Sequence, residues 1–255
     1  MDDRTQRIRK LYDSLIKLTN DQFSLIETIT LQLAQPYHRM ERWAKSDLIN
    51  DCMLETLGDA LRIHHCFSRE PLSKDRFEYA LERSANLCGY TTELSPKGNP
   101  GHDITINNER FSLKTEAAKN IKPDFIHISK FMELGKGTWD LDTQRQRYFK
   151  HIESYERVLI FRCLSKNPSH WYYELVEIPK SLLLEAVSGQ LRIAEDSTQN
   201  PKPFYYYIYG NEGDIKYQLY FDGGTERKLQ VRNLRKSLCT VHASWEFSSE
   251  PKSNA

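Results

Sequence analysis

Two short runs of alternating residues constrain this chain more than anything else in it: His102-Asp-Ile-Thr-Ile106 and Arg110-Phe-Ser-Leu-Lys-Thr-Glu116. Asn107-Asn108 lies between them, so the natural reading is a β-hairpin. Strand side chains alternate. Ile104, Ile106, Phe111 and Leu113 therefore share a core face, while Asp103, Thr105, Ser112, Lys114 and Glu116 fall on the other. In a half-buried sheet an aspartate on one strand then faces a lysine on its partner. Charges in such a place are costly unless they are paired or bind a metal. The pattern alone fits a sheet face carrying a salt bridge as well as it fits a reactive site.

The surroundings of the hairpin indicate an α/β chain. Residues 4–35 carry apolar positions at helical spacing (Leu11, Leu15, Leu18, Leu25, Ile29, Leu33) until Gln35-Pro36 stops the pattern. Further helices are expected over 45–61 and 74–88, the latter with Ser73 as N-cap, Gly89 as stop, and Phe77, Ala80, Leu81 and Ala85 on its buried face. After a short strand at 90–94, Ser95-Pro-Lys-Gly-Asn-Pro-Gly101 reads as a loop. A helix over 142–155 with Tyr148, Ile152 and Tyr155 on one stripe precedes buried strands at 157–164 and 171–178, and Pro179 opens a helix through about Ala186. Strands are expected at 204–209, 215–221, 227–232 and 239–247. No repeat or long linker divides the chain, so one domain over 1–255 is expected. It would comprise a helical part (1–70), a core (71–190) and a β-rich part (191–255).

No stretch approaches the roughly 20 apolar residues of a membrane-spanning helix, and Met1-Asp2-Asp3-Arg4 lacks the start of a signal peptide. Cys52, Cys66, Cys88, Cys163 and Cys239 are scattered and odd in number, so neither a disulfide framework nor a structural zinc is expected. Thiols in a reducing cytoplasm fit better. With 36 basic residues against 35 acidic ones, only local clustering can serve a polyanionic partner.

Pro100-Gly-His-Asp103 followed by a hairpin and Ser112-Leu-Lys114 resembles the PD-(D/E)xK nuclease signature. The longer runs Asn99-Pro-Gly-His-Asp-Ile-Thr-Ile106, Leu113-Lys-Thr-Glu-Ala-Ala-Lys-Asn120 and Met132-Glu-Leu-Gly-Lys-Gly137 closely resemble the SmaI-type restriction endonucleases. So do Glu177-Ile-Pro-Lys-Ser-Leu-Leu-Leu-Glu-Ala186, Pro201-Lys-Pro203 and Tyr220-Phe-Asp-Gly-Gly-Thr-Glu-Arg-Lys-Leu-Gln230, so the likeness covers roughly residues 55 to 247. This resemblance implies a restriction-endonuclease-like mixed sheet flanked by helices. It also implies magnesium-dependent cleavage of both strands of duplex DNA at a short palindrome, CCCGGG cut to blunt ends, by a cytoplasmic homodimer. Asp103 becomes the principal Mg2+ ligand, Lys114 the residue that orients or deprotonates the water, and the Leu113 carbonyl a further metal ligand.

One position departs from the pattern. Ser112 stands where the superfamily expects an acid, so a second carboxylate has to come from elsewhere. Glu116 lies on the same face, but four strand residues span about 13 Å, too far for a magnesium contact without a bend or a shifted metal. Glu78, on the helix before the hairpin, is the other candidate. Either glutamate is also readable as an ordinary solvated residue.

For DNA contacts, Arg227-Lys-Leu-Gln-Val-Arg-Asn-Leu-Arg-Lys236 is basic without an acid and offers Arg227, Lys228 and Arg232. A solvated strand face explains it equally well. Lys119, Lys122 and Lys130 follow the hairpin and suit phosphates. His64-His65-Cys66 reads as helix-surface or helix-end histidines, Phe204–Tyr209 as strand core, and Asp222-Gly223-Gly224 as a turn. A repair or nicking nuclease of the same fold, and a DNA-binding protein without catalysis, are the rival functions.

Overall fold

The computed structural model describes residues 2–96, 98 and 101–250. Of the turn-forming loop before the hairpin, Lys97, Asn99 and Pro100 therefore lie outside the described residues. Two sheets organise the chain. The larger contains β1 (Arg39–Arg42), β2 (Thr92–Leu94), β3 (Ile104–Ile106), β4 (Glu109–Glu116), β6 (Arg157–Asn167), β7 (His170–Ile178) and β12 (Thr240–Phe247), in the order β1-β12-β7-β6-β4-β3-β2. Among the described residues, only β4 and β6 run parallel. The smaller sheet, β5-β11-β10-β9-β8, is built from β5 (Phe125–Glu133), β8 (Gln190–Ile193), β9 (Phe204–Tyr209), β10 (Ile215–Asp222) and β11 (Lys228–Arg235), all antiparallel. Helices gather towards the N-terminus and strands towards the C-terminus, as the mixed α/β reading expects.

The hairpin forms where the alternation places it. Asn107 and Asn108 both take positive φ, 47° and 70°, which a tight two-residue turn between twisted strands requires and asparagine tolerates. Ile104, Ile106, Phe111 and Leu113 are buried in a core between the large sheet and α3 (Asp51–Phe67) and α4 (Lys74–Leu87). The opposite face is not half-exposed as expected. Ser112, Lys114 and Glu116 are buried too, because the smaller sheet and α5 (Leu141–Glu153) enclose a second core on that side. In that second core lie Tyr148, Ile152 and Tyr155 of the α5 stripe.

Helix starts follow side-chain caps. The Ser73 hydroxyl accepts from Arg76 N–H and starts α4, and Cys88 and Gly89 (φ 85°) end it. Asn50 caps α3, so that helix begins six residues later than expected and carries His64 and His65 in its last turn. The single N-terminal pattern is broken into α1 (Asp3–Leu15) and α2 (Asn20–Ala34) by a capping box in which Thr19 and Gln22 satisfy each other's backbone. Pro179 caps a shorter helix than expected, α6 (Lys180–Leu184), which tightens into a 3-10 turn at Glu185–Ser188.

Two further expectations are corrected. Cys52 and Cys88 form a disulfide, because α3 packs on α4 and brings their Cα atoms to 5.7 Å; the other three cysteines are free. His65 is at the helix end, one of the two places expected, but it is not on the surface: it is buried, stacks on Trp171 at 3.6 Å, shares a 2.8 Å hydrogen bond with the Tyr173 hydroxyl, and burial pulls its pKa down to about 4.

The two sheets are tied together by one buried cation. Arg162 on β6 is fully buried and its Nε donates to Glu116 Oε2 at 2.5 Å. Its Nη1 meets Glu174 on β7, and both terminal nitrogens donate to carbonyls of Lys122, Pro123 and Phe125 at the entry to β5. Lys236 adds a second cation on Glu174, at 3.0 Å. Removing one partner from a buried pair leaves uncompensated charge. Arg162→Leu is expected to lower stability by about 3–5 kcal/mol, read as a fall in the urea midpoint, while Lys236→Ala, at the edge of the same network, costs less than half of that.

Candidate active site

Where β3 ends, the chain keeps Asp103 beside β4. Asp103 N–H donates to the Phe111 carbonyl at 2.8 Å, and its Oδ2 accepts from Leu113 N–H at 2.6 Å and from Ser112 Oγ at 3.4 Å. The carboxylate thus takes the place of the next β3 residue in satisfying the β4 edge. Along a strand the N–H and C=O of one residue point to the same side, so the Leu113 carbonyl faces this open edge too.

From the helical side comes a residue that the sequence reading missed. Lys74 Nζ lies 2.6 Å from Asp103 Oδ1 and 3.0 Å from Glu78 Oε1. The i,i+4 spacing on α4 puts Lys74 and Glu78 on one face, one turn apart, and Ser73 as N-cap fixes where that face starts. Burial works against the Lys74 ammonium, yet hydrogen bonds and attraction from Asp103 and Glu78 hold its pKa above the ordinary lysine value. Lys114 sits deeper. Its Nζ donates to Ser112 Oγ at 2.8 Å and lies over the Phe131 ring. Burial pulls its pKa down to about 8, opposed by Asp103 and Glu78 and reinforced by Lys74. Two carboxylates and two ammonium groups therefore converge, with one lysine committed to the acids and one poised close to neutrality.

A cavity of about 560 Å³ opens on this cluster. Asp103, Lys74 and Lys114 line one side, and Ser129, Lys130 and Glu133 of β5 line the other, with His151 of α5 at its wall. It shares Lys130 and Glu133 with a second hollow, lined also by Lys136, Arg227 and Lys228. That hollow shares Lys136, Thr225 and Arg227 with a third, which reaches Gln199, Asn200, Gly223 and Gly224. The three make one groove with a basic rim.

Glu116 is not brought into the cluster. Its Oε2 takes the Arg162 guanidinium and its Oε1 accepts from His127 N–H at 3.0 Å, so both oxygens are committed inside the sheet sandwich. Burial pushes its pKa up, against Arg162 and that N–H. β4 pairs with β6 in unbroken register from Phe111 to Glu116, so the separation of about 13 Å expected along an extended strand is not shortened by a bulge. Of the proposed DNA contacts, Lys130, Arg227 and Lys228 lie on the groove, though each has a partner: Glu133 at 2.5 Å, the Gly137 carbonyl at 2.6 Å and Glu226 at 3.5 Å. Lys119 is exposed on the turn after β4 and does not line the groove. Arg232 is turned onto the tyrosine face of the small sheet, 3.7 Å above the Tyr220 ring and bonded to Gln230 and the Tyr205 hydroxyl.

A second group of ligand-type atoms, from Asp47, Glu177 and His242, lies within 4.8 Å of one another. The Arg157 guanidinium already bridges Asp47 and Glu177, and His242 Nε2 meets Glu177 at 2.9 Å. That place is an ion-pair cluster with its cation built in.

The SmaI family, type II site-specific deoxyribonucleases, matches residues 11–247. The chain is also 46% identical over 206 residues to the type II restriction enzyme SmaI of Serratia marcescens, covering 80% of this chain and 83% of that one.

In metal-free protein carrying 13Cε-labelled lysine, one resonance is expected to titrate near pH 8 and to vanish in Lys114→Met. Asp103→Asn, which removes an attraction that raises the Lys114 pKa, is expected to shift that resonance to still lower pH.

Proposed function

The chain belongs to the SmaI family of type II site-specific deoxyribonucleases, and from that premise we propose that the cavity under α4 is where it cuts DNA, with Asp103, Glu78 and Lys114 at the reacting phosphate. The observation that carries this reading is one ammonium, Lys74, resting between two carboxylates beside a second, depressed lysine. Two carboxylates and the Leu113 carbonyl are hard oxygen donors, and, unlike the enclosed Arg157, the Lys74 ammonium between the acids is 39% exposed on an open cavity into which it can swing. With Lys74 displaced, the residues fit a small divalent ion, and Mg2+ is our assignment. When bound, magnesium lowers the pKa of water and neutralises charge at the phosphate. Glu78 replaces the acid missing at Ser112, and Ser112 instead holds Lys114 in place.

The residues divide the work. Leu113 N–H fixes Asp103, and Ser112 Oγ fixes the Lys114 amine. With a pKa of about 8, Lys114 can take a proton from the attacking water at Nζ and return it to solvent near neutral pH. Lys130, Lys136, Arg227 and Lys228 line the path of the backbone and neutralise phosphates; Lys119 and Arg232 are left with lesser roles. The chain acts as one nuclease domain over 1–255, in the cytoplasm, as a homodimer, so that a two-fold protein meets a two-fold duplex site. CCCGGG is the proposed target.

Incubating supercoiled plasmid with the protein and Mg2+ is expected to give discrete linear fragments with ends mapping to one palindrome. Asp103→Ala and Lys114→Ala are each expected to slow cutting by about 10²–10⁴-fold while DNA retardation persists. Glu78→Gln raises the Mg2+ requirement by about 10–100-fold, whereas Glu116→Gln acts on stability and leaves that requirement unchanged. Full cutting by Asp103→Ala would remove the site; nicks alone favour a repair enzyme, and retardation without cleavage a binder.

Phosphate contacts also predict a salt response. Lys130→Ala and Arg227→Ala are each expected to reduce the slope of log affinity against log salt by about 1, with little change in sequence preference.

A further inference from the structure

The N-terminal helices leave apolar surface that the rest of the chain does not cover. No residue of α1 is buried. Its stripe, Ile8, Leu11, Tyr12 and Ile16 with half-buried Leu15, stands in solvent, with Tyr12 64% exposed. α2 is anchored only towards its far end, where Gln32 donates to the Ser248 carbonyl at 2.7 Å and Arg62 of α3 donates to the Leu33 carbonyl at 2.9 Å. Its Phe23, Leu25, Ile26 and Leu31 are exposed as well. Among the described residues, the side-chain hydrogen bonds and the ion pair of α1 all stay within the helix and its cap. A 13-residue helix without packing is marginal in water, so a segment built this way needs a partner for its stripe.

We propose that α1 and the exposed face of α2 form the arm through which two copies of this chain pair. The four exposed side chains of α1 with Phe23, Ile26 and Leu31 of α2 (Leu25 turns towards the side of anchored Gln32) present on the order of 800 Å², about what each partner gives to a standard interface. An isologous contact asks a stripe only to match itself, and an apolar stripe does so. Charge supports antiparallel pairing: about a two-fold near Leu11, Asp13 of each copy comes opposite the Arg7–Lys10 stretch of the other, which carries Arg7, Arg9 and Lys10. The chain of packing α2–α3–α4 then runs from this arm to the helix that carries Lys74 and Glu78. The choice of a second copy as partner rests on the two-strand cleavage proposed above, but its test needs no cleavage.

Sedimentation velocity at about 5 µM is expected to give twice the mass of one chain for the wild type and for Asp103→Ala. The Ile8→Glu/Leu11→Glu/Tyr12→Glu variant should sediment as a monomer, its dimer dissociation constant raised a hundredfold or more. Leu11→Cys, near the two-fold, should cross-link to a covalent dimer on mild oxidation, which the free cysteines of the wild type do not do under the same conditions. A wild type that stays monomeric at 50 µM, a triple variant that stays dimeric, or Leu11→Cys that fails to cross-link would each overturn the arm. So would a triple variant that keeps the dimer mass but loses DNA or vesicle binding, since α1 would then belong to another partner. Failure of the active-site reading shows separately, as cutting by Asp103→Ala at unchanged mass.

Discussion

The arrangement depends on a charge that has nowhere to go. Arg162 is fully buried on β6, which like β7 commits apolar residues to both cores, and a guanidinium in that position must satisfy all of its donors or be lost. It does so with Glu116 and Glu174 on the neighbouring strands and three carbonyls at the start of β5. Those carbonyls belong to the turn that carries the chain out of the large sheet and into the small one. The cation therefore decides where β5 begins, and β5 supplies Ser129, Lys130, Phe131 and Glu133 to the cavity wall. The glutamate two residues after Lys114 thus has both carboxylate oxygens bonded within the architecture.

That division explains how a hairpin lacking the usual second acid still makes a charged site. With Glu116 taken, the acids near Lys114 are Asp103 and Glu78, one held by the β4 edge and one by a helix. Glu78 is placed by the α4 spacing, which needs no strand position at all. Lys74, in contact with both carboxylates, is kept in its charged form; in Lys114, buried against a hydroxyl, the neutral amine is favoured. The contrast comes from partners and depth: the same side chain is raised where acids touch it and lowered where burial strips its water. Ser112 is thus more than a missing ligand, because a carboxylate there would raise the Lys114 pKa again.

Local rules were legible in the sequence, and long-range pairings were not. The hairpin, its Asn-Asn turn, the Ser73 cap and the Phe204–Tyr209 strand follow from alternation and capping, which act within a few residues. β1, β5 and β8 escaped because short or edge strands take their identity from the partner they meet. Cys52–Cys88 and Arg162–Glu116 join residues 36 and 46 positions apart, and no periodicity relates them. The burial of the polar hairpin face also depended on a second sheet arriving from distant sequence. Lys74 was the readable miss: its i,i+4 relation to Glu78 was visible, but only Asp103, brought by the fold, gives that pair its meaning.

A nearly neutral chain addresses a polyanion by distribution, and the groove shows how the distribution is held rigid. β5 and β11 are hydrogen-bonded neighbours, with Lys228 opposite Glu133 and Leu229 opposite Met132, so Lys130 and Lys228 are placed by strand register while Lys136 and Arg227 stand on the segments that flank these strands. At the far end, Gly223 approaches the Pro201 carbonyl so closely that a Cβ there would lie 2.1 Å from its oxygen. Gly224 N–H is held by Asp222 Oδ1 at 3.0 Å. Only glycine fits between those backbones, and the 222–227 turn is thereby pressed against residues 199–201. The span from Lys114 to this end of the groove is therefore set by two strands and a locked turn.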